Sequence, residues 1–213
     1  MKFEPMRKIR RDPLSMYVTE KLDGTNTSVH IYDPKVNDND LMLMEMPYEP
    51  TAIVDGLRIY TAFRKRWIAP GEDNPGIESD NFGFAKWVKD NAEEIVKLGS
   101  GSHFGEWVGP GIQKNPHQLD EKRFYLFNHY RWHNAYKATL EGHDTDFPKC
   151  AHVVPHLSTH VYSQYIIDAL MDDLSRGSKV GGKAEGIMIY IPDADHYQKV
   201  TFEHSQGKWN SDV

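Results

Sequence analysis

YVTEKLDGTNTSVHIY, Tyr17 to Tyr32, is the stretch against which the rest of the chain is read. Val18, Val29 and Ile31 suit extended segments, and Asp23-Gly24 supplies a tight reversal, which predicts two strands with a turn between them. Lys21 then ends the first strand beside a pocket. A lysine at a strand end is most often a solvated surface group, and Lys-x-Asp-Gly alone is a weak signal. Its neighbours give it weight.

Lys-Leu-Asp-Gly-Thr-Asn, Lys21 to Asn26, resembles the nucleotidyltransferase motif of ATP-dependent polynucleotide ligases and capping enzymes, and the Thr25-Asn26 extension is similar to the RNA-ligase branch of phage type. The resemblance implies that Lys21 becomes covalently adenylated and that Glu20, Asp23, Gly24 and Asn26 line the nucleotide. Asp23 keeps two readings, as a turn former and as a direct participant.

The chain has 213 residues, 39% of them hydrophobic. That is enough to bury one substantial core, and a single domain over 1–213 is expected, without an appended C-terminal OB or helical domain. No run of about 18 apolar residues occurs, and the basic start MKFEPMRKIRRDPL lacks an apolar stretch, so neither a membrane span nor a secretory signal is expected. The expected location is the cytoplasm, of a cell or of a phage host. One cysteine, Cys150, leaves no intrachain disulfide and no multi-cysteine zinc site. A formal net charge of -6 disfavours a broad polyanion-binding face, so a nucleic-acid partner needs a local basic patch. Arg7 to Arg11 and Arg64 to Arg66 are the two candidates.

Leu41 to Met46 and Leu57 to Ile68 read as strands, the second carrying the consecutive cations Arg64, Lys65 and Arg66. Asp80-Asn81 offers an N-cap for a helix with Phe82, Ala85, Val88, Ala92, Ile95 and Val96 at helical spacing, ended by Gly99. Phe124 to Asn128 reads as a buried strand. Tyr162 to Leu174 reads as a second helix, with Gly177 after it. Ile187, Ile189 and Ile191 alternate as in a strand with one buried face. His129 and His133, like His152 and His156, are four apart, but Pro155 and the strand-like surroundings argue against helices and hence against a zinc site there.

The resemblance extends through four further motifs, in chain order at Arg64, Glu106, Glu185-Gly186 and Lys199. His103 to Gln113, HFGEWVGPGIQ, is similar to the third ligase motif, which implies that Glu106 binds ribose hydroxyls. Arg64 matches the arginine of a Ser-Arg pair that contacts the nucleotide, with Phe63 in place of the serine. Phe127 matches an aromatic residue that stacks on the purine, while Asn128 stands where the family has an acid. Glu185-Gly186 resembles the fourth motif, whose glutamate assists a divalent metal. Lys199 is the first lysine of a Lys-x-Lys motif whose second position is Thr201 here.

The chemistry is coherent. A free lysine titrates near about 10.4, so attack on phosphorus needs a neighbouring cation that disfavours the protonated amine. A bound metal and Lys199 would provide one, and Mg²⁺ or Mn²⁺ suits a carboxylate such as Glu185 better than an imidazole. The implied protein is an α+β nucleotidyltransferase domain, ATP-grasp-like, of mainly antiparallel sheets with flanking helices. Its implied reaction is ATP-dependent joining of 5′-phosphate and 3′-hydroxyl ends, RNA favoured, through lysyl-AMP, with Lys21 and Lys199 catalytic and Lys65 and Arg66 on the nucleic acid. Strand clamping would come from this domain or from a partner protein. A DNA ligase, a capping-type guanylyltransferase and a non-catalytic end-binding module remain as alternatives, and the motifs alone do not separate ATP from GTP.

Overall fold

The computed structural model describes residues 14–35, 49–70 and 78–204. The basic segment Arg7 to Arg11 and the strand expected at Leu41 to Met46 lie outside those residues. Twelve strands are described: β1 (Ser15–Lys21), β2 (Thr25–Tyr32), β3 (Ala52–Val54), β4 (Leu57–Phe63), β5 (Arg66–Ala69), β6 (Glu78–Ser79), β7 (Gly101–Val108), β8 (Arg123–Leu126), β9 (His152–Val153), β10 (His156–Val161), β11 (Gly186–Ile191) and β12 (His196–Thr201). The α-helices are α1 (Phe84–Asp90), α2 (Ala92–Ile95), α3 (His129–Leu140) and α4 (Gln164–Ser175).

The strands form two sheets. The larger has the order β6-β5-β4-β2-β7-β8-β9 with β3 beside β4, and the smaller the order β10-β1-β11-β12. Neighbours are antiparallel except β5 with β6 and β8 with β9. The fold is thus α+β with mainly antiparallel sheets, as expected. One expectation changes: β1 and β2 are not the arms of a hairpin. β1 pairs with β10 and β11, β2 with β4 and β7, and Leu22 to Gly24 carries the chain from one sheet to the other.

Alternation decides which face of each sheet is buried. On the larger sheet Val29, Ile31, Ile59, Phe63, Ile68, Trp107, Phe124 and Leu126 pack in one cluster with Phe84, Val88 and Ile95 of the α1–α2 segment and Trp132 of α3. Trp87 joins it against Trp107, ring centroids 5.1 Å apart. On the smaller sheet Met16, Val18, Ile187, Ile189 and Ile191 pack with Ile167 and Leu174 of α4. The opposite faces carry Lys21, Met188 and Lys199 on one sheet and Asn26, Glu106 and Tyr125 on the other, as register and alternation require.

Leu22, between the lysine and the aspartate, is the anchor of the crossover. It is buried with Val108, Leu119, Tyr125 and Val154. Truncating such a side chain to alanine costs about 3 kcal/mol, so the crossover is held by packing as well as by its two sheets.

Helix ends follow local chemistry. An Asp80 carboxylate oxygen accepts the Lys86 N–H at 2.9 Å near the start of α1, and Gly99, at φ 77, ends the 3-10 turn Val96–Leu98 that follows α2. α3 corrects the reading of His129 and His133, which lie one turn apart on a helix. The Asn128 side chain accepts the Arg131 N–H at 3.1 Å and so caps it. The strand expected over Phe124 to Asn128 stops at Leu126 for that reason. Leu57 to Ile68 is likewise two strands, with Arg64-Lys65 as the turn between β4 and β5.

Candidate active site

Lys21 closes β1 opposite Gly186, the first residue of β11. Its Nζ lies 2.5 Å from Oε2 of Glu185, and both side chains keep about a quarter of their surface exposed (24% and 26%). Gly186 is needed at this point because a Cβ there would lie 2.0 Å from the Val200 carbonyl oxygen and 2.8 Å from Thr201 Cα. Lys21, Gly186 and Thr201 form one register row, and Met188 and Lys199 form the next pair on the same face. Lys199 is exposed, whereas Thr201 is buried, so the position where the family motif has its second lysine holds an enclosed hydroxyl.

Glu106 approaches from the larger sheet. It stands between Asn26 on β2 and Tyr125 on β8. Burial pushes its pKa up to about 7; Lys21 and the Gly24 N–H pull it down, while Glu185 and Asp23 push it further up. Lys21, Asp23 and Glu185 thus lie within electrostatic reach of Glu106 at the junction of the sheets. Gly24 permits that closeness: a Cβ there would lie 2.5 Å from the Trp107 carbonyl oxygen and 2.5 Å from Val108 Cγ1. Its role is close approach between backbones, not the turn conformation expected for it.

Phe127 follows β8, its N–H donating to the Phe104 carbonyl at 2.9 Å. It is 39% exposed and Phe104 53%. Phe104 lies two residues from Glu106, on the same face by alternation, and was not singled out by motif reading. Arg64 and Lys65 are exposed in the β4–β5 turn. Because Phe63 pairs with Thr27, that turn lies at the sheet end of Asn26 and Glu106. Arg66 lies back over the Phe63 ring, its guanidinium carbon 5.3 Å from the centroid. Asn128, unassigned in the motif comparison, is the helix cap.

Glu20 is 1% exposed. Its Oε2 accepts the Lys179 N–H at 2.9 Å, while Oε1 is buried without a hydrogen-bond partner. Burial raises its pKa. By alternation its side chain lies on the face of β1 opposite Lys21. His117 is a site residue that motif reading missed; its Nε2 accepts the Asp23 N–H at 3.0 Å.

The oxygen donors around Lys21 suit a hard divalent cation that keeps waters and phosphate oxygens in its shell. Among the described residues no three His, Cys, Asp or Glu side chains converge on a metal position. Glu185, beside Lys21 Nζ, is the carboxylate that could hold such an ion. The histidines form a separate group, with His129 stacked on His156 at 4.4 Å and 14° between planes and His133 4.4 Å from His129.

Two sheets meeting at a lysine and three carboxylates make up the nucleotidyltransferase fold of RNA ligases. The RNA ligase family profile matches residues 14–206, and the chain belongs to that family. Solved structures similar to it include Naegleria gruberi RNA ligase mutants, one with AMP and Mn (18% identity, TM-score 0.57, 91% of this chain and 51% of that one) and one with ATP and Mn (18%, 0.55, 89% and 50%). The same ligase with pyrophosphate matches at 19% identity and TM-score 0.54, over 91% of this chain and 51% of that one. This chain spans about half the length of those neighbours. Among curated proteins none matches.

Proposed function

We propose that the protein is an ATP-dependent RNA ligase that works through a lysyl-AMP intermediate. The observation that carries this reading is the contact of Lys21 Nζ with Glu185, at the point where Glu106 closes over the same volume from the other sheet. In the first step the Lys21 amine attacks the α-phosphorus of ATP. The N–P bond forms, the bond to the β-phosphate oxygen breaks, and pyrophosphate leaves with the electron pair. The Glu185 carboxylate, 2.5 Å away, is the nearest acceptor for the proton that the amine sheds. The AMP then passes to a 5′-phosphate end, and a 3′-hydroxyl attacks that end to seal the strand and release AMP.

The surroundings divide the labour. Glu106 and Asn26 hold the ribose side, and Phe127 stacks on the base. Together they set the α-phosphorus in line with Lys21. Lys199, on the Lys21 face, supports charge developing on the phosphate oxygens. Glu185 would hold a divalent cation, Mg²⁺ or Mn²⁺, which when bound would supply Lewis-acid polarisation of the phosphate. The ATP, AMP and Mn named with the Naegleria gruberi structures support nucleotide and cation as the ligands. The exposed Arg64-Lys65 turn and Arg66 supply local positive charge for RNA on a chain of net charge -6.

Incubation with α-labelled ATP and Mg²⁺ or Mn²⁺ should label the wild type covalently, and the label should move to 5′-phosphorylated RNA. Parallel reactions with GTP and with DNA ends separate a capping enzyme and a DNA ligase. A second reading, a module that binds nucleotide or RNA ends without chemistry, rests on Thr201 in place of the second lysine. It predicts nucleotide binding without covalent label.

A further inference from the structure

His117 lies between β7 and β8 and is 1% exposed. Burial lowers its pKa, which keeps the ring neutral at neutral pH; the Gly181 backbone and Asp23 favour its charged form, and Lys21 opposes it. With Nε2 accepting the Asp23 N–H at 3.0 Å, the ring proton sits on Nδ1, which donates to Ser178 Oγ at 3.2 Å. Ser178 in turn stabilises the Glu20 carboxylate together with the Lys179 N–H. Both ring nitrogens are therefore used, and the chain of contacts joins the residue before Lys21 to the second residue after it.

The same contacts fix the loop that delivers Glu185. Lys183 N–H donates to the Pro116 carbonyl at 2.9 Å. A Cβ at Gly182 would lie 2.1 Å from that carbonyl oxygen, and one at Gly181 2.7 Å from the His117 oxygen, so only glycines let the two loops lie this close. An apolar residue at 117 could fill the space but would leave the Asp23 N–H unpaired.

We propose that His117 is a positioning residue for the adenylation step. By accepting the Asp23 N–H and donating into the Ser178–Glu20 contacts, it holds the Lys21 amine in register with Glu185. The proposal rests on Lys21 being the nucleophile.

Two variants separate the two nitrogens. In His117→Gln the side-chain oxygen reaches the Nε2 position and keeps the Asp23 bond, whereas in His117→Asn the shorter amide reaches only the Nδ1 position. Hydrogen exchange of the Asp23 amide should stay slow in the wild type and in His117→Gln and speed up at least about tenfold in His117→Asn. At saturating ATP, single-turnover labelling of Lys21 should slow about tenfold in His117→Asn and stay within about threefold in His117→Gln. The ATP concentration for half-maximal rate should hardly change. Thermal unfolding of both variants checks that they fold. If His117→Asn does not fold, Ser178→Ala, which removes the Nδ1 partner and also the Ser178–Glu20 contact that His117→Gln leaves in place, should slow labelling about tenfold. Equal Asp23 exchange in the Asn and Gln variants, wild-type labelling by His117→Asn, or an unchanged rate in Ser178→Ala overturns the proposal. A wild type that takes no label overturns the nucleophile assignment itself, and the positioning role with it; a labelled wild type with indifferent variants overturns the role of His117 alone.

Discussion

The larger sheet and the smaller sheet contribute different things to the junction at Lys21. The larger presents Asn26, Glu106 and the Phe104–Phe127 pair on a face whose reverse is packed against the α1–α2 segment and α3. The smaller presents Lys21, Lys199 and the adjoining Glu185, with its reverse under α4. Groups that recognise a nucleoside gain from a rigid, deeply packed support. Groups that react must exchange protons and partners, and Lys21 and Glu185, for which such a role is proposed, keep contact with solvent. The comparison predicts that damage to the smaller sheet's groups lowers the rate of adenylation, while damage to the larger sheet's groups weakens nucleotide binding.

The largest effect tests the smaller sheet. Lys21→Ala should lower covalent labelling by more than about a thousandfold with the fold intact, because in the proposed reaction Lys21 forms the N–P bond. Label retained in that protein would remove Lys21 from the reaction. Next, Glu185→Ala should lower the labelling rate about a hundredfold and raise the cation concentration required. An unaltered cation dependence would show that Glu185 does not hold the metal.

A smaller effect tests the larger sheet. Glu106→Gln should raise the ATP concentration for half-maximal labelling about tenfold while changing the maximal rate little. It also carries a pH signature. The Glu106 pKa is raised in the folded state, to about 7, so the folded protein favours the protonated acid. As pH rises from the ordinary carboxylate range through 7, ionising Glu106 progressively costs stability, and the Gln variant escapes that loss. Nucleotide-free Glu106→Gln should therefore unfold at a higher temperature than wild type at pH 8, with the difference shrinking toward pH 4. A pH-independent difference would contradict the burial argument.

The smallest effects concern the β4–β5 turn. If Arg64 meets the nucleotide, Arg64→Ala should slow labelling several-fold without RNA. Lys65→Ala and Arg66→Ala should spare that step, weaken binding of 5′-phosphorylated RNA, and each lower the slope of log affinity against log salt by about one. Equal loss of adenylation in all three would make the turn a structural unit and erase the distinction between its residues.

Much of the site was legible in the sequence because its motifs are local. Lys21 to Asn26 and Phe104 to Ile112 each present a reactive or recognising group within a few residues of a glycine, and those stretches lie in strands or immediately beside them. α4 and β11 were legible for a similar reason, since their apolar residues recur at one period and end at recognisable punctuation. α3 was hidden. Among its side chains Trp132 is the one fully buried, so the helical period is faint, and the signal that could have revealed it was Asn128 as a cap. His117 was hidden because its partners, Asp23 and Ser178, are 94 and 61 residues away in the chain.

The sequence by itself determined the family, the order of the reactive groups and the alternation that buries one face of each sheet, because residue type and short spacing carry that information. Tertiary structure alone decided that β1 and β2 belong to different sheets. An Asp-Gly turn is compatible with a hairpin and with a crossover, and the choice is made by strand pairing partners distant in sequence and by burial of Leu22 among Val108, Leu119, Tyr125 and Val154. The same long-range packing brings Glu106 against Lys21 and Glu185 and raises its pKa, a property of desolvation and neighbouring charge that belongs to no stretch of chain taken alone.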